Sequence, residues 1–217
     1  MINLVTFGDS WPKGVELSLR EKPYGKILSE KLNAKFHNYS VMASSIEHMI
    51  VQCDKFIKNS INKDEKNIGI FFLTSPHRFL TYDTQGNEEH IYPMENNDGS
   101  KAYHYYHASS PKLDDLKANI SILALQKMCI DYNIDDYYIN GWIKPNFFIS
   151  GIDVNKFYNQ GNTTAADLFN GTDENEFLLS SEINRNNLYV YPNVNHPNQL
   201  GHQLIADKLE AWIRPKL

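Results

Sequence analysis

Two apolar segments constrain the fold of this 217-residue chain more than any other feature. Residues 68–73 read Ile-Gly-Ile-Phe-Phe-Leu, residues 2–7 read Ile-Asn-Leu-Val-Thr-Phe, and both segments stop at turn-forming residues. Largely apolar runs of this length are typical of parallel strands that are covered on both faces. Because parallel strands need long crossover connections, helices are expected to lie between them. The two segments therefore predict an α/β fold.

Amphipathic segments alternate with the predicted strands along the chain. Further strands are expected at residues 35–39 and 136–139, and helices at 23–32, from Ser44-Ser-Ile-Glu47 to about residue 57, from Ser110-Pro111 to about residue 128, and at 199–213. This order predicts a three-layer α/β/α sandwich with a mainly parallel sheet of about five strands.

Apolar residues at helical spacing predict the buried faces of two of these helices. For the helix after Ser110 the predicted stripe consists of Leu113, Leu116, Ile120, Leu123, Ala124 and Met128. For the last helix it consists of Leu200, Leu204, Ile205, Leu209 and Ile213, and the neighbouring His202 is assigned to the polar face.

Residues 81–109 show no hydrophobic period and are rich in Asn, Gly, Tyr and His, and residues 141–187 form a second irregular stretch in which at most short elements are expected. We expect residues 1–217 to form one domain in which these two stretches are irregular insertions. His104 and His107, in the first insertion, have the i, i+3 spacing that suits a metal site on a helix. No carboxylate or cysteine completes such a site, so no metal and no cofactor is expected.

Charge and cysteine content exclude several classes of protein. A formal net charge of −5 argues against a nucleic-acid or anionic-membrane partner, since both need a basic surface. Cys53 and Cys129 are too few for a disulfide scaffold and are expected to be buried thiols. No apolar run is long enough to span a bilayer, and no signal peptide is visible. We expect a cytoplasmic protein, or a virion-associated one if the gene belongs to a phage.

The turns at the strand ends hold the candidate chemistry, because ligands of parallel sheets bind beyond the carboxyl ends of the strands. They contain Gly8-Asp9-Ser10, residues 38–45, residues 74–78 and residues 193–196. A serine hydroxyl needs an adjacent base to become a nucleophile, and His196 is the candidate base for Ser10. The oxyanion formed in acyl transfer needs N–H donors, which the start of the helix after Ser45 can supply.

Two sequence blocks resemble those of the SGNH (GDSL-type) hydrolases. Phe7-Gly8-Asp9-Ser10 is similar to their first block, and Asn193-Val-Asn-His196-Pro197 with Gly201-His202 is similar to their last. The resemblance implies a flavodoxin-like sandwich in which Ser10 is the nucleophile and His196 the base. Trp11 and Gly14-Val-Glu16-Leu17 are also similar to the opening of small phage-encoded hydrolases of this type.

The oxyanion region departs from the family pattern at two places. Alignment puts Ala43, with Asn38 nearby, where the second block has a glycine, and an alanine preserves that N–H donor if its φ is negative. The third block, Gly-x-Asn-Asp, is replaced by Thr74-Ser-Pro-His-Arg78, so that Ser75, His77 or Arg78 would complete the oxyanion hole or bind substrate. Asp9 is expected to stabilise the turn within the same binding region.

A third departure concerns the acid that orients the histidine in this family. The family has Asp three residues before the histidine, and this chain has Asn193 there. An amide can hold the imidazole, but it cannot stabilise the imidazolium with a negative charge. Three alternatives stay open at this stage: a Ser10-His196 dyad held by Asn193, a carboxylate from elsewhere such as Asp167 or Asp173, or a weakened enzyme.

These residues predict a serine esterase that hydrolyses a small ester, with O-acetyl groups on carbohydrate as the expected substrate class. The alternative is a catalytically inactive descendant of the same fold that binds carbohydrate or a protein partner. The sequence leaves the oligomeric state open.

Overall fold

The computed structural model describes residues 1–82, 85–86, 88–91, 110–141, 143–170, 189–191 and 194–217. Its strands are β1 (Ile2–Phe7), β2 (Lys35–Asn38), β3 (Lys66–Leu73), β4 (Phe79–Tyr82), β5 (Glu88–Ile91), β6 (Ile134–Asn140), β7 (Tyr189–Tyr191) and β8 (Val194–Pro197). Its helices are α1 (Ser10–Lys13), α2 (Tyr24–Lys31), α3 (Ile46–Asn59), α4 (Pro111–Asp131), α5 (Ala165–Asn170) and α6 (Gln199–Ile213). Short 3-10 turns span Val154–Lys156, Tyr158–Gly161 and Arg214–Lys216.

A parallel sheet organises the described residues. Its four strands lie in the order β2-β1-β3-β6, and each pairs in parallel with its neighbours. Ile70 of β3, for example, lies between Thr6 of β1 and Tyr137 of β6. The predicted α/β class is confirmed, with four parallel strands in the described ranges where about five were expected. The carboxyl ends of all four strands meet at one edge.

Helices cover both faces of this sheet and complete three layers. Side chains alternate along each strand, so that Phe72 packs with α2 and α6 whereas Phe71 packs with α3 and α4. Both Cys53 of α3 and Cys129 of α4 are free and buried in the second of these cores, as predicted. A hydrogen bond with Cys53 and burial raise the pKa of the Cys129 thiol above its usual range.

The predicted buried stripe of α4 is wrong. Leu113 and Ile120 are 40% and 54% exposed, whereas Ile122 and Leu125 are fully buried on a different face. The buried stripe consists of Ala118, Ile122, Leu125 and Cys129. Asn119 beside it is also buried, and its side chain donates to the Asn146 carbonyl and accepts from the N–H groups of Phe148 and Ile149. The sequence holds both apolar stripes, and packing in the folded protein selects between them.

The two predicted insertions differ in outcome. The antiparallel hairpin of β4 and β5 at the start of the first was not expected, whereas the second contains α5 and two 3-10 turns, which are short elements of the kind expected there. Residues 92–109, with His104 and His107, and residues 171–188 lie outside the described residues. None of the helices in the described ranges is long and apolar enough to cross a membrane.

Candidate active site

Ser10 is the first residue of α1 and follows β1 through a tight turn. Gly8 in that turn has a φ of +140°, and a Cβ there would lie 2.8 Å from the carbonyl oxygen of Phe72. Only glycine therefore lets the chain turn this close to β3. Trp11, beside Ser10, is buried and stacks on Phe169 with ring centroids 5.3 Å apart. The turn thus fixes Ser10 at the carboxyl edge of the sheet.

His196 lies within hydrogen-bond distance of Ser10. Nε2 of His196 and Oγ of Ser10 are 2.9 Å apart, although the two residues are separated by 186 positions in the chain. His196 belongs to β8, and Asn198 caps the following helix by accepting from the N–H groups of Leu200 and Gly201. The His196 side chain is 24% exposed, so that a substrate can reach the pair from solvent.

The other imidazole nitrogen of His196 faces a carboxylate to which the sequence analysis assigned no role. Oε2 of Glu16 lies 3.2 Å from Nδ1. Nδ1 is buried, and no described residue gives it a well-aligned hydrogen bond. Glu16 is part of Gly14-Val-Glu16-Leu17, which the sequence comparison noted for a similarity to phage-encoded hydrolases that stays a prediction.

Asp9 is fully buried, and both of its carboxylate oxygens have partners. Oδ1 accepts from the N–H of Trp11 at 3.1 Å, and Oδ2 accepts from Thr74 Oγ1 at 2.9 Å and from Arg78 Nη1 at 2.7 Å. Thr74 and Arg78 follow β3, so Asp9 ties the turn after β1 to the turn after β3. A direct contact of Asp9 or Arg78 with substrate stays a prediction.

The turn after β2 is attached to the nucleophile turn. Asn38 Nδ2 donates to the Pro12 carbonyl, and the Val41 N–H donates to the Gly8 carbonyl, both at 3.0 Å. Ala43 has a φ of +66°, so the negative φ set as the condition for an alanine here is not met; the N–H is still present, but in a strained backbone conformation. An alanine in this left-handed conformation costs about 1–2 kcal/mol, which glycine would avoid. No described residue accepts a hydrogen bond from the Ala43 N–H.

Helix α3 also holds the nucleophile turn, through Gln52. Its Oε1 accepts from the Gly8 N–H at 2.8 Å, and its Nε2 donates to the Gly8 carbonyl at 3.1 Å and to Ser44 Oγ at 2.8 Å. Gln52 and Ser44 are both buried. Glu47, in the first turn of the same helix, is half-buried, and burial raises the pKa of its carboxyl.

Ser75, His77 and Arg78 were predicted to replace the side chain that the absent Gly-x-Asn-Asp block supplies to the oxyanion hole. Two of the three have carboxylate partners. Arg78 binds Asp9 as described above, and Nδ1 of His77 lies 2.8 Å from Oδ2 of the buried Asp114. Ser75 is half-buried, and its Oγ accepts from the His77 N–H at 3.3 Å. Its hydroxyl proton has no acceptor among the residues that the structure describes.

The structure describes one of the three residues that were predicted as partners of His196, which were Asp167, Asp173 and Asn193. Asn193 and Asp173 lie outside the described residues, so their roles stay predictions. Asp167 caps α5, since its Oδ2 accepts from the Thr164 N–H at 2.8 Å while its own N–H donates to Thr164 Oγ1 at 3.0 Å. This reciprocal pair is a capping box, which accounts for Asp167 by local structure.

His202 is not on a polar face, and that prediction is wrong. Its side chain is fully buried, its Nδ1 accepts from the Tyr24 N–H at 3.2 Å, and its ring stacks on that of Tyr24. Burial lowers the pKa of His202 from 6.5 to about 4, and the nearby His196 acts in the same direction. His202 therefore joins α6 to the start of α2 as a neutral acceptor.

Comparison with solved structures identifies the class of fold. A protein assigned to the lipolytic G-D-S-L family from Desulfitobacterium hafniense matches with a TM-score of 0.51 and 10% identity over 97% of this chain and 98% of its own. The psychrotrophic esterase EstA from Pseudoalteromonas sp., solved with monoethylphosphonate as inhibitor, matches with a TM-score of 0.52 and 16% identity over 99% and 97%. The acetyl xylan esterase Est2A from Butyrivibrio proteoclasticus matches with 0.50 and 15% identity over 99% and 64%.

These likenesses show that the chain has the fold of the G-D-S-L, or SGNH, hydrolases, as its sequence blocks implied. No protein-family model matches the sequence, and no curated protein matches it either. Among the described residues, no group of three or more His, Cys, Asp and Glu side chains is placed to hold a metal ion.

Proposed function

We propose that this protein is a serine esterase in which Ser10 is the nucleophile and His196 the general base. The observation that carries the proposal is the 2.9 Å distance between Ser10 Oγ and His196 Nε2. Contact between these two atoms is what allows the imidazole to take the hydroxyl proton as the oxygen attacks. The exposure of the His196 side chain leaves this pair accessible to a substrate.

The reaction has two halves. In the first, Ser10 Oγ attacks the ester carbonyl while His196 Nε2 takes its proton, and collapse of the tetrahedral intermediate expels the alcohol, which receives that proton. In the second, His196 takes a proton from a water molecule that attacks the acyl-serine, and the acid leaves as Ser10 recovers its proton.

The oxyanion is held by backbone N–H groups of Ser10 and Ala43 in this mechanism. The Ala43 N–H is without an acceptor in the described part of the chain, and its turn is fastened to Gly8 by the bond from Val41. We assign the additional side-chain donor to Ser75, because His77 and Arg78 are paired with carboxylates. Preorganised donors of this kind contribute about 3–4 kcal/mol each to lowering the barrier.

The substrate class that we propose is a small ester, with O-acetyl groups on carbohydrate as the natural example. One of the solved structures with this fold is an acetyl xylan esterase, which supports carbohydrate acetate as the first substrate to test. Acetate release from acetylated xylan should therefore be measured beside hydrolysis of p-nitrophenyl acetate, butyrate and octanoate, and activity should fall as the acyl chain lengthens.

The decisive experiment compares wild type with Ser10→Ala and His196→Gln. Each variant should lose hydrolysis on the order of 10³-fold or more, because neither residue has a substitute. An ethylphosphonate probe should label wild type at Ser10, as located by peptide mass spectrometry, and should not label Ser10→Ala. Ser18→Ala is the control and should match wild type, because Ser18 is an exposed serine eight positions after Ser10.

The alternative is a protein of the same fold that binds carbohydrate or a protein partner without catalysis. The loss of the Gly-x-Asn-Asp block is the observation that favours it. Wild-type protein that neither hydrolyses these esters nor reacts with the phosphonate would rule out the esterase and leave the binding module.

A further inference from the structure

We infer that Glu16 is the residue that orients His196, and that it takes the place of the acid which the last sequence block lacks. Glu16 would act through the imidazole, so it is a positioning residue that rests on the proposed function of Ser10 and His196. The juxtaposition behind the inference is the 3.2 Å distance between Glu16 Oε2 and His196 Nδ1, on the side of the ring opposite to Ser10.

The turn that carries Glu16 is built on the nucleophile itself. The Ser10 carbonyl accepts from the N–H groups of Gly14 and Val15, both at 3.1 Å, and the Leu17 N–H donates back to the Gly14 carbonyl at 3.3 Å. These bonds form a tight turn immediately after α1. Nucleophile and carboxylate therefore belong to one hydrogen-bonded unit, and only the histidine comes from the other end of the chain.

The backbone of Glu16 supports a dedicated role. Its φ is +70°, in the left-handed region that a side chain with a Cβ adopts at a cost of about 1–2 kcal/mol. Such conformations concentrate at functional sites, where the surrounding structure maintains them. The residue in this left-handed conformation is the one whose carboxylate lies 3.2 Å from His196 Nδ1.

The chemistry at Nδ1 calls for a carboxylate. When Nε2 takes the Ser10 proton, the imidazole becomes a cation, and a carboxylate at Nδ1 stabilises that cation and fixes the tautomer that leaves Nε2 free to accept. Nδ1 is buried and lacks a well-aligned acceptor among the described residues. Catalytic hydrogen bonds are often poorly aligned without substrate and tighten when it binds, and a small rotation of the Glu16 side chain would align this one.

The other described acids near the site have different partners. Asp9 binds Arg78 and Thr74, and Asp167 binds the backbone of Thr164. His202 of α6 is also nearby and is neutral, because burial lowers its pKa to about 4. Glu16 is thus the negative charge that faces His196 in the described part of the chain.

The first measurement is the kinetics of Glu16→Gln, which keeps the size of the side chain and removes its charge. We expect kcat for p-nitrophenyl acetate to fall on the order of 10²- to 10⁴-fold with KM changed less than about threefold. The lost activity should return in part as pH rises, since hydroxide can take the Ser10 proton in place of the imidazole. Glu16→Asp restores the charge on a shorter side chain and should recover at least about tenfold of the loss. Glu30→Gln removes an exposed charge on α2 and should match wild type.

The second measurement needs no activity. The proton on His196 Nδ1 should give a low-field ¹H NMR signal in wild type that His196→Gln removes and that Glu16→Gln removes or moves upfield. A merely structural role for Glu16 would leave this signal and the pH–rate profile in place.

The two proposals fail in different ways. If Ser10→Ala is inactive while Glu16→Gln keeps wild-type kcat, pH profile and Nδ1 signal, the Glu16 assignment is overturned and the esterase stands. If Ser10→Ala keeps full activity, the esterase mechanism fails, and an unchanged Nδ1 signal in Glu16→Gln would then overturn the Glu16 assignment as well. A large gain in kcat for Asn193→Asp, together with an unchanged kcat for Glu16→Gln, would assign the orienting role to residue 193 and overturn the Glu16 assignment.

Discussion

Asp9, the neighbour of the candidate nucleophile, forms a 2.7 Å ion pair with Arg78 in which the carboxylate is completely buried. The pair connects the turns after β1 and β3, and Thr74 Oγ1 donates to the same carboxylate oxygen. An ion pair of this kind contributes little net stability when intact, but breaking it leaves an uncompensated charge in the interior. The ion pair therefore has a structural role: it holds together the two turns next to Ser10.

Arg78→Met should destabilise the protein by about 3–5 kcal/mol, because it leaves the Asp9 carboxylate buried without its cation. The double variant Asp9→Asn, Arg78→Met should recover part of this loss. Urea unfolding at pH 7 measures both, with the exposed Arg214→Met as a control that changes stability by less than about 1 kcal/mol. A small loss of stability combined with a collapse of kcat would instead assign Arg78 to substrate binding.

Ala43→Gly should stabilise the protein by up to about 1 kcal/mol while leaving kcat within about twofold. Glycine adopts the φ of +66° without strain and keeps the N–H donor, although it loses more conformational entropy on folding. The control is Ala124→Gly in the interior of α4, where Ala124 is half-buried as Ala43 is in its turn, and it should cost about 1 kcal/mol. Equal destabilisation of both variants would show that the left-handed conformation carries no strain.

Stability should fall as the pH is lowered from about 6.5 to about 4, partly because of His202. Its pKa in the folded protein is lowered to about 4, so the unfolded chain takes up the proton first and unfolding becomes easier across this window. Above pH 6.5 both states are neutral and the contribution disappears. The full loss is about 3 kcal/mol on the scale of 1.36 kcal/mol for each pKa unit.

Urea unfolding of wild type and His202→Asn at several pH values between 7 and 4.5 measures this contribution. Asparagine offers an acceptor to the Tyr24 N–H but does not titrate, so the variant should have a shallower pH dependence despite a lower stability at pH 7. Parallel curves for the two proteins would mean that His202 does not contribute to acid sensitivity.

Gln52→Met should cost about 2–4 kcal/mol and lower kcat. The substitution preserves volume but leaves the buried N–H and carbonyl of Gly8 without their side-chain partners. Gln203→Met, on the exposed side of α6, is the matched control and should change stability by less than about 0.5 kcal/mol. If both variants have the same stability and kcat, the hydrogen bonds from Gln52 to Gly8 are dispensable.

Local sequence patterns were sufficient for the four strands of the parallel sheet, the four longer helices and the class of sheet, whereas the hairpin of β4 and β5 and the pair of β7 and β8 were not predicted. The buried face of α4 shows the limit of such patterns. Leu113 and Ile120 have the spacing of a buried stripe, yet the face that packs against the core is the competing one with Ile122 and Leu125, and the buried Asn119 beside it bonds the backbone at residues 146–149. His202 was misjudged for a similar reason, because only the packing of α6 against Tyr24 makes it a buried acceptor.

The sequence by itself placed Ser10 at the carboxyl edge of a parallel sheet, because apolar runs and caps are local signals and parallel strands end together, whereas His196 was paired with Ser10 through the resemblance of its block to the last SGNH block. The tertiary structure decided which groups surround them. That Glu16 faces His196 depends on a left-handed turn and on packing between chain segments 180 positions apart, that is, residue 16 against residue 196. No local pattern encodes such a contact, since its geometry arises only when the two ends of the chain pack together.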